Sequence, residues 1–171
     1  PAAAAAVPAV RDRLDRMGVD VSVDGETISV RGAAPEAGAY RAVDITTAPY
    51  PGLATDLQPP TAVLLTQATG RSTIHEAIFE DRLEWMDELR KMGASVDIAD
   101  SHHATVTGPA RLHGAEVWMS DLRAGASLIL GALRADGMSL IHGAHQVRRG
   151  YENIERKFLD LGARIEHVSE G

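Results

Sequence analysis

Three segments of this chain repeat one design: a helical stretch, a glycine, and then alternating residues. They are RLDRMGVDVSV (13 to 23), ELRKMGASVDI (88 to 98) and FLDLGARIEHV (158 to 168). In each, the glycine (Gly18, Gly93 or Gly162) stands just past a helix end, where a left-handed backbone is cheapest without a Cβ. Before it, apolar residues recur at spacings of three and four: Val7, Val10, Leu14 and Met17; Leu83, Met86 and Leu89; Ile154, Phe158 and Leu161. That is the period of an amphipathic helix. After it, Val19, Val21 and Val23, and Val96 and Ile98, alternate as a half-buried strand does. A helix-to-strand unit used three times commits the chain to an α/β fold built from repeats.

The similarity continues upstream. TDLQPPTAVLLTQATGRSTIHEAIFEDR (55 to 82) aligns with SDLRAGASLILGALRADGMSLIHGAHQVRR (120 to 149) apart from a two-residue insertion. Gly70 pairs with Gly137, His75 with His142 and Arg82 with Arg149, each pair 67 positions apart. Each unit therefore reads as an acid-led helix, a strand, an Arg-bearing loop, a second helix, a glycine and one or two strands. The expected organisation is a single domain over 1–171, with an incomplete repeat over 1–49 and fuller repeats over 50–119 and 120–171. The first copy holds only the second helix and two strands, joined at Asp24 and Gly25. A chain that opens midway through a repeat reads as part of something larger, and the Ala run PAAAAAVPAV as a linker or helix lead-in.

Composition narrows the chemistry. At 171 residues one core is affordable, and with 2 Trp, 3 Tyr and 2 Phe it must be aliphatic. No cysteine is present, which excludes disulfides, thiolate metal sites and a cysteine nucleophile. A net charge of -7 argues against a general nucleic-acid partner. No run reaches the length of a membrane span, and no basic leader is visible, so no membrane partner and a cytoplasmic location are expected. The seven His form no metal set. His102 and His103 read as a turn, and His75 and His142 as structural packing. No HExxH, no acidic calcium loop and no G-x-G-x-x-G opening a helix occur, so no metal or dinucleotide site is expected.

The candidate chemistry lies at the repeat ends. Asp56 and Asp121 each follow a hydroxyl residue and precede a helix, so either is a helix cap or, with Thr55 or Ser120 capping, a carboxylate turned to a ligand. Arg123 lies at the same helix start as Asp121, and Arg82 and Arg149 lie before the second helices. A cation there opposes the helix dipole by up to about 1 kcal/mol, which an anionic ligand or a neighbouring acid such as Glu80, Asp81, Glu84 or Glu152 would offset. Two Asp and three Arg at equivalent ends suggest a cleft for a small, multiply charged anion, which guanidinium groups grip through paired hydrogen bonds. A carboxylate there can take a proton from a hydroxyl held beside it.

From Tyr50 to Val168 the ordered motifs PYPG, TDLQ, FEDR, MGA, SDLRAGASL, RGYE and LGARIE resemble the UDP-N-acetylglucosamine enolpyruvyl transferases. The resemblance implies an inside-out α/β barrel of repeated β-α-β-α-β-β units in a two-domain enzyme of peptidoglycan precursor synthesis. It implies transfer of the enolpyruvyl group of phosphoenolpyruvate to the 3′-hydroxyl of UDP-N-acetylglucosamine, with release of phosphate and with no metal or organic cofactor. By the same resemblance Asp56 contacts the sugar hydroxyl as general base, and the Ile78 backbone touches the nucleotide sugar. Asp121 handles the vinyl-carbon proton, Arg123 and Arg149 hold phosphoenolpyruvate, and Arg82 lines the site. The missing amino-terminal domain would be a partner, and the chain alone is expected to be inactive. A noncatalytic nucleotide-sugar-binding or scaffolding module, or a sister transferase with another acceptor, are the alternatives. Two departures stand out: Arg148 where the family has Asp, and Leu53-Ala54 where it has Phe-Pro.

Overall fold

The computed structural model describes residues 8–25, 27–32 and 39–168; most of the opening Ala run lies outside them. Helix α1 (Pro8–Met17) leads into β1 (Asp20–Asp24), which pairs antiparallel with β2 (Thr27–Arg31) through a turn at Gly25. Short strands β3 (Tyr40–Arg41) and β4 (Ile45–Thr46) follow. A 3-10 turn (Thr55–Leu57) opens α2 (Gln58–Leu65), which is succeeded by β5 (Ala68–His75). Then come α3 (Met86–Lys91), β6 (Ser95–Ile98), β7 (His103–Gly108) and β8 (Glu116–Trp118). Helix α4 (Leu122–Arg134), β9 (Leu140–His142), α5 (His145–Arg148) and α6 (Ile154–Asp160) complete the order.

The repeat is visible as geometry. All three glycines are left-handed, with φ of 87° at Gly18, 91° at Gly93 and 90° at Gly162. Each closes its helix with the same two backbone bonds. Gly18 N donates to Asp15 O and Val19 N to Leu14 O; Gly93 and Ala94 donate to Arg90 and Leu89; Gly162 and Ala163 donate to Leu159 and Phe158. This double bond satisfies the last free carbonyls and sets the chain's exit direction.

Two β-α-β crossovers carry the upstream similarity. Strand β4 pairs parallel with β5 across α2, with Ile45 opposite Ile74, and β8 pairs parallel with β9 across α4, with Val117 opposite Ile141. The two crossover helices pack on each other. Because both run away from the carboxyl ends of their leading strands, their amino-terminal ends are neighbours. The core is aliphatic, as the composition required: Ile45, Leu53, Leu65, Ile74, Leu89 and Leu128 are fully buried. Leu53 and Ala54 take up the departure without disrupting the turn, since Leu53 fills the core and Ala54 precedes the 3-10 turn.

The closed inside-out barrel is not what the chain forms. Among the described residues the strands fall into three open sheets: β1-β2, a five-stranded mixed sheet ordered β3-β5-β7-β6 with β4 also on β5, and β8-β9. Closure needs every edge strand to find a partner around the ring. Here β6 pairs only with β7, and β8 and β9 pair only with each other, so the sheets keep open edges. The fold is α/β with a mixed sheet. Two local expectations also change. The predicted second helices start late: at Ile154, directly after Asn153 at a positive φ of 47°, and at Met86, after a run of turns over 80–85 in which Asp81 has a positive φ of 57°. Residues 163–168, read as a strand, pair with none, and Val168 is exposed.

Candidate active site

At the neighbouring helix starts, Asp56 receives two guanidinium groups. Arg123 Nε donates to Asp56 Oδ1, and Arg82 Nη1 lies 3.6 Å from the same oxygen. The ion pair between Asp56 and Arg123 joins one repeat to the next. The Asp56 side chain is 58% exposed, and among the described residues Asp56 Oδ2 has no partner and Arg123 commits only Nε. For Arg82 and Arg123 the offsetting acid is therefore Asp56, not Glu80, Asp81, Glu84 or Glu152.

Asp121 behaves differently. Its carboxylate accepts from Arg123 N at 2.6 Å and Ala124 N at 3.1 Å, so it is itself the cap of α4, and Ser120 is not. Asp121 fixes the turn from which Arg123 projects. Among the described residues Arg149 makes one weak polar contact, Nη1 to Gln146 Oε1 at 3.3 Å, and stays exposed. It still belongs to the same end of α4, since a Cβ on the adjoining Gly150 would lie 3.0 Å from Leu122 Cδ1. Ile78 N–H is used internally, donating to Glu76 Oε1 at 3.0 Å, so a backbone contact from Ile78 to a ligand falls to its carbonyl.

Arg82 is held from three sides. Its guanidinium carbon sits 4.7 Å from the Phe79 ring centre, Nη1 donates to Thr55 Oγ1 at 2.7 Å, and the Asp56 carboxylate lies beyond. Thr55, expected only as a possible cap, does not cap. It donates to Glu76 Oε2 at 2.9 Å. Glu76, fully buried, was missed by sequence reasoning; the available signal was a lone acid just past the end of β5, followed directly by the apolar Ala77, Ile78 and Phe79.

Arg148 is neutralised away from this cluster: Nε and Nη2 donate to Glu155 Oε1 at 3.1 and 2.9 Å. Burial opposes ionisation of Glu155, yet hydrogen bonds from its own amide and from Arg148 prevail and hold its carboxyl below the ordinary value. His75 stacks on His103 and His142 on Trp118, so both repeat-equivalent histidines pack against rings. Among the described residues no group of three or more His, Asp or Glu could hold a metal, and no helix is long and apolar enough to cross a membrane.

A family model for EPSP synthase (3-phosphoshikimate 1-carboxyvinyltransferase) matches residues 2–158. UDP-N-acetylglucosamine 1-carboxyvinyltransferase from Solibacter usitatus is 47% identical over 163 residues, covering 95% of this chain and 38% of that protein. The Clostridium botulinum enzyme of that name is 43% identical, over 90% of this chain and 36% of the relative. Thus the chain spans little more than a third of the length of the curated relatives it matches. Among solved structures, the enolpyruvyl transferase NikO from Streptomyces tendae superposes with a TM-score of 0.89 at 32% identity, over 98% of this chain and 38% of that one. EPSP synthase from Acinetobacter baumannii, at 21% identity and a TM-score of 0.72 over 95% of this chain and 40% of that one, shares the fold. With a family match along nearly its whole length, and relatives sharing its sequence across both crossovers, the chain belongs to the EPSP synthase (3-phosphoshikimate 1-carboxyvinyltransferase) family.

Proposed function

We propose that this chain supplies the Asp/Arg wall of a cleft that transfers the enolpyruvyl group of phosphoenolpyruvate to the 3′-hydroxyl of UDP-N-acetylglucosamine. The observation that carries the reading is the convergence of Arg82 and Arg123, from successive repeats, on one exposed carboxylate, Asp56. The remaining wall would come from an amino-terminal domain of the kind the longer relatives have room for.

In this reading Asp56 Oδ2 accepts the proton of the acceptor hydroxyl as its oxygen adds to C2 of phosphoenolpyruvate. A proton enters C3; loss of a C3 proton and of inorganic phosphate then regenerates the vinyl group. Asp121 serves the C3 proton while its other oxygen caps α4. The free nitrogens of Arg123, with Arg149, take the carboxylate and phosphate, and the Ile78 carbonyl takes the nucleotide sugar. Arg82 lines the site and orients Asp56. Two fixed cations beside the leaving phosphate would stabilise charge where it develops.

The test is phosphate release from phosphoenolpyruvate in the presence of UDP-N-acetylglucosamine. The chain alone is expected to be silent, and addition of the separately expressed amino-terminal domain of the Solibacter usitatus relative is expected to give turnover. Binding of the nucleotide sugar with no turnover in the mixture would instead support a noncatalytic module. Turnover with a different acceptor hydroxyl would support a sister transferase.

A further inference from the structure

The buried carboxylate behind the cluster has no ion-pair partner among the described residues, yet it accepts four hydrogen bonds. Thr47 Oγ1 donates to Glu76 Oε1 at 2.8 Å, Ile78 N at 3.0 Å and Phe79 N at 3.3 Å, while Thr55 Oγ1 donates to Oε2 at 2.9 Å. A carboxylate with no solvent contact is costly unless its acceptor capacity is filled, and here it is filled by groups that lead to the site.

The direction of each bond matters. A hydroxyl has one proton, and Thr55 gives its proton to Glu76, so its lone pairs point the other way, where one receives Arg82 Nη1 at 2.7 Å. Glu76 thereby decides that Thr55 is an acceptor toward Arg82. The same carboxylate anchors the amides of Ile78 and Phe79, and Phe79 is the ring under the Arg82 guanidinium. Hydroxyl orientation below and ring placement alongside are thus set by one buried group. Thr47 Oγ1 accepts from Ala77 N at 2.8 Å, which ties the same loop to the end of β4.

We propose that Glu76 is a positioning residue: through the hydroxyl of Thr55 and the backbone of Ile78 and Phe79, it fixes the Arg82 guanidinium against Asp56. The inference deepens the functional reading above and rests on it for its kinetic arm. In a Gln at position 76, the amide would donate where Oε2 now accepts. Thr55 would then lose the acceptor that fixes its proton, its hydroxyl would be free to rotate, and the Arg82 contact would loosen. Valine at 55 removes the relay atom and leaves the shape; serine restores the atom.

The experiment reads Arg82 directly, by side-chain ¹⁵N–¹H spectra of the 171-residue chain. Wild type and Thr55→Ser are expected to show a guanidinium with hindered rotation and a shifted Nη resonance. Thr55→Val and Glu76→Gln are expected to lose both, with the exposed Arg111 unchanged as control. In the reconstituted transferase, Thr55→Val should lower kcat/KM by up to about 10²-fold, the scale of a misplaced group, with Thr55→Ser recovering most of it. An Arg82 signal unaltered by Thr55→Val, or a Thr55→Ser chain that behaves like Thr55→Val, overturns the inference. Should Glu76→Gln fail to fold, the Thr55 pair decides. Absence of wild-type turnover would sink the functional reading while leaving the spectral result to stand or fall separately.

Discussion

The two crossovers begin with nearly the same letters, TDLQPP and SDLRAG, yet their aspartates do opposite things. Asp121 turns inward and caps α4 through the amides two and three residues ahead. Asp56 turns outward to Arg82 and Arg123. The difference is chemical. Two residues past Asp56, the Gln58 amide is already bonded to Thr55 O, and three residues past it Pro59 has no N–H. With nothing to cap, Asp56 has no competing use, and proline is tolerated there because the first turn's N–H groups lack helical partners anyway. The two crossovers carry carboxylates at corresponding ends, and a proline leaves one of them without a cap to make.

The sharpest test of that contrast is the pair Asp56→Asn and Asp121→Asn. Asparagine cannot act as a base but caps helices about as well as aspartate does. Asp56→Asn is expected to lower turnover of the reconstituted enzyme by about 10²- to 10⁴-fold, the usual worth of a positioned base. Its thermal unfolding should move by no more than about 0.5 kcal/mol, because the side chain is largely exposed. If Asp121 is only a cap, Asp121→Asn leaves turnover intact; if it also handles the C3 proton, turnover falls with no change in unfolding. A fully active Asp56→Asn enzyme would remove the chemical meaning of the comparison.

Much of this architecture was legible in the chain, for identifiable reasons. Gly18, Gly93 and Gly162 signalled helix ends because only glycine takes a φ near 90° without strain, and all three do. The shared offset of Gly70, His75 and Arg82 with their partners announced the second crossover. What failed to show depends on contacts between distant segments. Barrel closure is a question of strand edges, which local periodicity does not encode. The partners of Glu76 are hidden in the sequence because two of its four donors, Thr47 and Thr55, lie on stretches of chain far from it, while Ile78 and Phe79 are its near neighbours. The late start of α6 turns on left-handed Asn153, a residue type that adopts that region often enough to permit it and rarely enough to defeat a forecast.

The glycines separate the two copies next. A Cβ at Gly93 would meet His113 Cδ2 at 2.9 Å and Arg111 O at 3.2 Å, whereas one at Gly162 would meet nothing within 4 Å. Left-handed backbone alone costs an alanine about 1 to 2 kcal/mol. Gly162→Ala should therefore lose about that much in denaturant unfolding, and Gly93→Ala should lose an overpacking penalty of about 1 kcal/mol or more besides. Equal losses would mean that the 109–113 segment yields to the new methyl.

Capping gives a smaller effect. Asp121→Ala should cost about 1 kcal/mol, seen as a fall of about 2 to 4 °C in Tm for a chain of this size. Asp56→Ala should cost less, because Asp56 caps nothing. A larger loss at 56 than at 121 would reverse the assignment of cap and ligand carboxylate.

The smallest expected effect concerns the Arg148–Glu155 pair, which belongs to the second copy alone. The folded Glu155 titrates below its ordinary 4.5, so the unfolded chain binds more protons through that interval. Its contribution to stability is then fully present above the ordinary value and disappears as pH falls through the lower folded one. Because Arg148 is half exposed, water and salt screen the pair, and its worth is about 0.5 kcal/mol at most. Replacing Arg148 by alanine should trim stability by that amount near neutrality and leave it unchanged well below the glutamate range, so the acid limb of the unfolding profile becomes shallower. If the limb keeps its slope, Glu155 owes its low titration to the bond from its own amide at the start of α6, and Arg148 is a bystander to it.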